Sequence, residues 1–120
     1  MASKEPVTAD SNIPAFRLAD MRSLALHFAV ADKLRKQPEL FAVVPKTLER
    51  WRQTVAASSQ GYLSEWALLV HQGMEAALTV ATEDSEHAQT LRQCSPFGGI
   101  LSHQERFAFL KSWSEQHASR

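Results

Sequence analysis

Residues 38–55 read PELFAVVPKTLERWRQTV and contain the clearest apolar stripe in the chain. Leu40 or Phe41, Val44, Leu48, Trp51 and Val55 recur three or four positions apart, the period of one face of an α-helix. The spacing predicts a helix over roughly 38–57 that starts at Pro38, where a missing N–H costs nothing. Pro45 falls inside the same stripe. A proline in a helix interior loses one backbone bond and collides with the preceding turn, at a cost of about 3 kcal/mol. A kink or short break is therefore expected at 44–46.

Upstream, Met21, Leu24, Phe28, Ala31 and Leu34 repeat at the same spacing and predict a helix over roughly 20–37, N-capped by Asp20. Lys33, Arg35 and Lys36 crowd its last turn, where the helix dipole favours cations. Pro38 disfavours helical backbone at Gln37 and ends it. Downstream, residues 58–61 read as a turn. A helix over roughly 62–72 buries Leu63, Trp66, Leu69 and Val70, and Gly73 interrupts it. A segment at 74–82 carries Met74, Ala77, Leu78 and Ala81. A fifth helix is expected over about 83–93, with cap oxygens in Thr82-Glu-Asp-Ser and acids in its first turn. Ser102-His-Gln-Glu105 has capping-box spacing and opens a last helix over about 103–116, which presents Phe107, Phe109, Leu110 and Trp113.

No stretch alternates apolar and polar residues over a strand's length, and only four glycines are present. The expected fold is all-α: a compact bundle of five or six helices, with residues 1–18 as a flexible tail and 19–117 as a single helical domain. Ile13, Phe16 and Leu18 are the tail residues suited to docking on the body. At 120 residues and 44% hydrophobic, the chain matches one globular domain and excludes collagen-like or wholly disordered classes. Three tryptophans and six phenylalanines supply volume for one core. Apolar runs fall far short of the ~20 residues that span a bilayer, so no membrane association is expected. The start, MASKEPVTADSNIP, has no apolar secretory core. With one cysteine no intrachain disulfide forms, so a cytoplasmic protein is expected.

Charge is the most informative pattern. Thirteen basic and thirteen acidic residues cancel, yet they are segregated. Residues 33–52 hold six lysines and arginines against Glu39 and Glu49, a balance of +4. Residues 53–91 hold five acids and no lysine or arginine, a balance of −5. Such a chain can have a basic and an acidic side that steer a charged partner. The plain alternative is ordinary solvated faces.

Chemical motifs are sparse. Asp84 and His87 are one turn apart, but acids at a helix N-terminus need only the macrodipole to explain them, and no second cluster with metal-ligand spacing accompanies them. No metal or cofactor is expected. The five histidines are scattered without an i, i+4 pair. His27, among apolar residues, reads as a hydrogen-bonded, half-buried histidine. Cys94 lies at a helix C-terminus, the wrong end to activate a thiol, and reads as small buried filler. Ser95-Pro-Phe-Gly-Gly99 lacks the Lys-Ser/Thr of a phosphate loop. It is either a tight connection with Phe97 plugged into the core or an exposed recognition turn.

Six blocks carry a resemblance: Arg22-Ser-Leu-Ala-Leu-His27, Leu48-Glu-Arg-Trp-Arg52, Glu65-Trp66, Glu83-Asp-Ser-Glu86, Leu91-Arg-Gln-Cys-Ser-Pro-Phe97 and Leu101-Ser-x-x-Glu-Arg-Phe107. Across roughly residues 20–113 the chain resembles a set of short bacterial all-helical proteins of antitoxin-like or mobile-element accessory type. That resemblance implies a bacterial intracellular protein whose partner is a toxin or regulator. It carries no catalytic residues over.

The expected function is therefore a non-enzymatic protein-interaction module, with Lys46, Arg50, Arg52, Glu83, Asp84, Glu86, Arg92 and Phe97 as partner-binding residues. Homo-oligomers are compatible with this reading. The alternative is a DNA-binding regulator that sets the basic second helix against phosphates. An enzyme centred on Asp84, His87 and Arg92 is the third and weakest reading.

Overall fold

The computed structural model describes residues 15–54 and 60–117, and every element among them is helical. Helix α1 spans Ala15–Lys36, and the Gln37 N–H closes its last turn on the Lys33 carbonyl at 2.8 Å. The three cations of that last turn are in place. The helix starts earlier than its apolar pattern predicts. Residues 15–18 are helix rather than the inner end of a tail, and Asp20 sits inside the helix instead of capping it. Ile13 lies outside the described residues.

The break at the second proline also shifts. A 3-10 turn, Pro38–Ala42, opens on Pro38 as expected, and α2 then runs Val43–Arg52. Breaking at 42/43 rather than 44–46 places Pro45 in the first turn of α2, where no intrahelical donor is needed. Helix α2 ends at Arg52, short of the expected 57, and Val55 lies outside the described residues. Helix α3 (Gln60–Gln72) is separated from α4 (Met74–Ala81) by Gly73 alone. Gly73 adopts φ 128°, ψ 166°, a region essentially reserved for glycine. Its N–H bonds to the Val70 carbonyl and its own carbonyl accepts from Ala77.

Helix α5 is only Glu86–Arg92. Thr82 bonds back to the Leu78 carbonyl at 2.7 Å, and Ser85 takes over as N-cap by accepting from the Ala88 N–H at 3.1 Å. Glu83 and Asp84 thus sit in the connection rather than in the first turn of the fifth helix. Helix α6 (His103–His117) opens on the expected capping box: the Ser102 N–H donates to Glu105 at 2.8 Å and the Glu105 N–H to Ser102 Oγ at 3.1 Å.

These six helices form an all-α bundle. Helix α1 packs on the 3-10 turn, α4 and α5, while α3 packs between α2 and α4. The core joins Leu34, Val44, Leu63, Trp66, Leu78 and Leu91, all fully buried, with Phe97 from the loop after α5. Trp66 is satisfied in this apolar setting because its Nε1–H donates to the Leu91 carbonyl at 2.8 Å, which also accepts from the Cys94 N–H at 3.1 Å at the end of α5. Trp66 and Phe97 meet edge to face at 5.5 Å.

Two expectations about the core need correction. Helix α1 turns His27, Val30, Ala31 and Leu34 inward, not the Met21–Leu24–Phe28 part of the predicted stripe, and Phe28 is 54% exposed. Helix α6 has no buried residue, and Phe107 is 69% exposed. Among the described tryptophans and phenylalanines, only Trp66 and Phe97 are buried.

Candidate functional site

Of the concave features along α1, two are walled by large aromatic side chains. The first is an open groove of about 400 Å³ walled by Met21, Leu24, Ala25 and Phe28 of α1 and Trp113 of α6. It exists because α1 carries two apolar faces and the bundle covers only one. Helix α6 runs back along the other, with Glu105 paired to Lys33 near one end of α1 and His117 beside Arg17 and Asp20 near the opposite end. Phe109 stacks on Trp113, and Trp113 on His117 at 3.8 Å between ring centroids, so the aromatic wall is ordered along α6. Asp20 and Asp84 line the groove together with Arg17, and of the two acids Asp84 is the exposed one.

The second feature is a cavity of about 230 Å³ between α1, the end of α5, the 94–101 loop and the start of α6. Its floor is a polar tie. His27 Nδ1–H donates to the Ser23 carbonyl, so Nε2 is the acceptor and the Ser95 hydroxyl donates to it, both at 2.7 Å. Burial holds the His27 pKa below its ordinary 6.5, against the Ser23 hydrogen bond and with help from the Arg92 and Arg106 charges, so the ring is neutral at pH 7. His27 is thus the hydrogen-bonded histidine its apolar context implies. Burial pushes the half-buried Cys94 thiol up, away from reactivity.

The expected partner-binding residues separate into three groups. Lys46, Arg50 and Arg52 are exposed on α2. The other cations of the basic segment are engaged, Lys33 with Glu105, Arg35 with Glu75 and Lys36 with Asp32. Lys46 and Arg50 form no ion pair among the described residues, and Arg52 reaches Ser64 at 3.5 Å. Glu83, Asp84 and Glu86 are exposed in the α4–α5 connection and at the start of α5, and none is ion-paired among the described residues. Glu65 and Glu75, by contrast, pair with His87 and Arg35.

Arg92 and Phe97 are corrections: they are 4% and 2% exposed and present no outer surface to a partner. Arg92 turns inward because the carbonyls of Ala81 and Glu83, left open where α4 ends, accept from its Nη1 at 3.2 and 2.7 Å, while Asp20 lies 3.4 Å from Nη2. Phe97 fills the core, which makes the 95–99 segment a packed connection. The Asp84, His87 and Arg92 set is divided: His87 bonds Glu65 across to α3 while Arg92 points into the core.

Sequence reasoning missed the groove, Arg106 and the His27–Ser95 tie. The exposed Phe28 and Phe107 read as core from their type alone, and no local spacing links His27 to a serine in a distant loop. Among the described residues no three His, Cys, Asp or Glu side chains come together as metal ligands, and no helix is long and apolar enough to cross a membrane. No protein-family model, curated protein or solved structure matches the chain.

Proposed function

We propose that this chain is a non-enzymatic protein-interaction module of antitoxin-like or regulatory type that works in the bacterial cytoplasm by covering a surface of one partner protein. The observation that supports this reading is the α1–α6 groove, where Phe28 is 54% exposed and α6 has no buried residue. Leaving several large apolar side chains half open on adjacent helices costs solvation that a partner recovers on docking. The groove is elongated along two helices and bordered by Asp84, with Glu83 and Glu86 beside it in sequence. Its occupant is an amphipathic helix of the partner, with an apolar face for the groove and lysines or arginines for the exposed acids at 83–86. The acids then speed encounter and set orientation, while the apolar contact holds the complex.

The test is capture of the partner from an extract of the source cells, followed by reconstitution with the purified partner. Phe28→Asp should abolish stoichiometric capture, and Glu83→Lys with Asp84→Lys should slow association at 50 mM salt far more than at 500 mM. A partner held equally well by Phe28→Asp refutes the groove as its site. DNA binding through α2 draws on the unpaired Lys46 and Arg50, but Glu49 stands exposed between them in sequence. Duplex binding that steepens with falling salt and weakens in Arg50→Ala would favour that reading over a protein partner.

A further inference from the structure

We propose that the cavity between α1, α5, the 94–101 loop and α6 is a binding site for a small organic carboxylate, a site separate from the groove and independent of the partner reading. Its charge selects the ligand's sign. Arg92 and Arg106 line it, and none of its lining residues is an aspartate or glutamate. His27, the other ionisable group of the lining, is held neutral by burial and by the neighbouring Arg92 and Arg106 charges, against its Ser23 hydrogen bond, so it neither repels a cation nor pairs with an anion.

Two arginines that line this site have donors without partners. Arg92 is 4% exposed and spends its Nη groups on Ala81, Glu83 and Asp20, but its Nε is buried without any hydrogen-bond partner. A buried donor on a charged group is costly to leave unmade. Arg106, the fourth residue of α6, is exposed and lines the cavity. Its side chain makes no hydrogen bond or ion pair among the described residues, whereas Lys33, Arg35, Lys36 and Lys111 all have carboxylate partners. A guanidinium free at the mouth of a cavity presents the planar fork that carboxylates bind two-pronged.

The rest of the lining sets the ligand's body. Leu26, Val30, Trp51, Phe97 and Leu101 give apolar walls, so a bare inorganic ion would leave most of the surface unfilled. At about 230 Å³ the space lies just below the ~300–1,000 Å³ of drug-sized pockets, which fits an aromatic or short aliphatic acid rather than a nucleotide. The carboxylate sits against the Arg106 guanidinium, with the buried Arg92 charge behind the lining, and the body against Trp51 and Phe97.

Titration calorimetry of the intact protein with sodium benzoate, benzamide and inorganic phosphate tests this. Benzoate should bind saturably, and benzamide, equal in shape but neutral, at least about tenfold more weakly. Arg106→Gln changes an exposed side chain and should leave the melting temperature in place while lowering benzoate affinity by about tenfold or more, with Arg106→Lys intermediate. Equal binding of benzoate and benzamide would reduce the site to an apolar hole and overturn the proposal. Phosphate binding more tightly than benzoate would make it a bare anion site and overturn it as well. So would the absence of saturable benzoate binding up to about 10 mM, or an Arg106→Gln variant that binds like the wild type.

Discussion

The Ser95 hydroxyl donates to His27 Nε2 across 2.7 Å and fastens the 94–101 loop to the middle of α1, 68 residues earlier in the chain. The same oxygen accepts from the Phe97 N–H at 3.3 Å, so one side chain fixes both the loop's position and the entry of Phe97 into the core. Ser95→Ala leaves a buried imidazole nitrogen without its donor, and the expected loss is about 1–3 kcal/mol. It should lower the urea midpoint with the slope unchanged. A midpoint equal to the wild type's would mean that the tie contributes nothing net to stability.

His27 also makes stability depend on pH. Its folded pKa lies below the ordinary 6.5, chiefly through burial, with Arg92 on α5 and Arg106 on α6 disfavouring the cation further. The unfolded chain therefore binds a proton on His27 at a higher pH than the folded one. Stability from this residue is fully present above 6.5 and declines as pH falls through the window between 6.5 and the lowered folded value. Glu75 and Glu105, held below their ordinary 4.5 by the side-chain hydrogen bonds of Arg35 and Lys33, add an exposed and salt-screened loss only below 4.5. Thermal melts from pH 7.5 downward should thus show two separate declines, and His27→Gln should remove the upper one.

Two glycines should respond in opposite directions to alanine. At Gly73 an added Cβ meets nothing within 4 Å, so the cost of Gly73→Ala is wholly the backbone at φ +128°, about 1–3 kcal/mol. Gly61 lies inside α3, also with open space around it. Gly61→Ala should stabilise by roughly 0.4–1 kcal/mol through the entropy of the unfolded chain. Paired chemical-denaturation curves check both signs.

Trp66 and Trp113 divide stability from binding. Trp66→Ala empties a fully buried site and removes one donor from the Leu91 carbonyl, which keeps its backbone bond from Cys94, for an expected loss of about 3–5 kcal/mol. Trp113 is half-buried on α6, and Trp113→Ala should cost about 1 kcal/mol or less while weakening capture of the partner through the α1–α6 groove. Loss of fold in Trp113→Ala, seen by far-UV circular dichroism, would show that α6 is a structural element rather than an exposed binding face.

Much of the helical framework is local physics and was legible residue by residue. Pro38 opens the turn after α1, and Gly73 separates α3 from α4 because no other residue suits its backbone. Ser102 and Glu105 close a capping box over three positions, and Leu63 and Trp66 face the core at helical spacing. Each depends on neighbours within a turn or two, so the sequence carries it directly. The start of α1 and the N-cap of α5 were less legible, because Asp20, Thr82 and Ser85 can all cap and only the surroundings choose among them.

What a side chain faces depends on what the rest of the chain brings to it, and that belonged to the tertiary structure. Helix α1 has two apolar faces, Met21–Leu24–Phe28 and Val30–Ala31–Leu34, and periodicity does not rank them. Packing of α4 and α5 on one face left the other as a groove. Arg92 carries a charge that reads as surface, yet the open carbonyls at the end of α4 draw it inward. Phe107 has an aromatic side chain that reads as core, yet it is exposed because no element packs over it. Short-range hydrogen bonding and backbone sterics make the chain all-helical and punctuate most of its helices, and both can be read along the residues. Which apolar face stays open and which arginine is buried follow instead from packing, because burial is set by contacts between residues far apart in the chain.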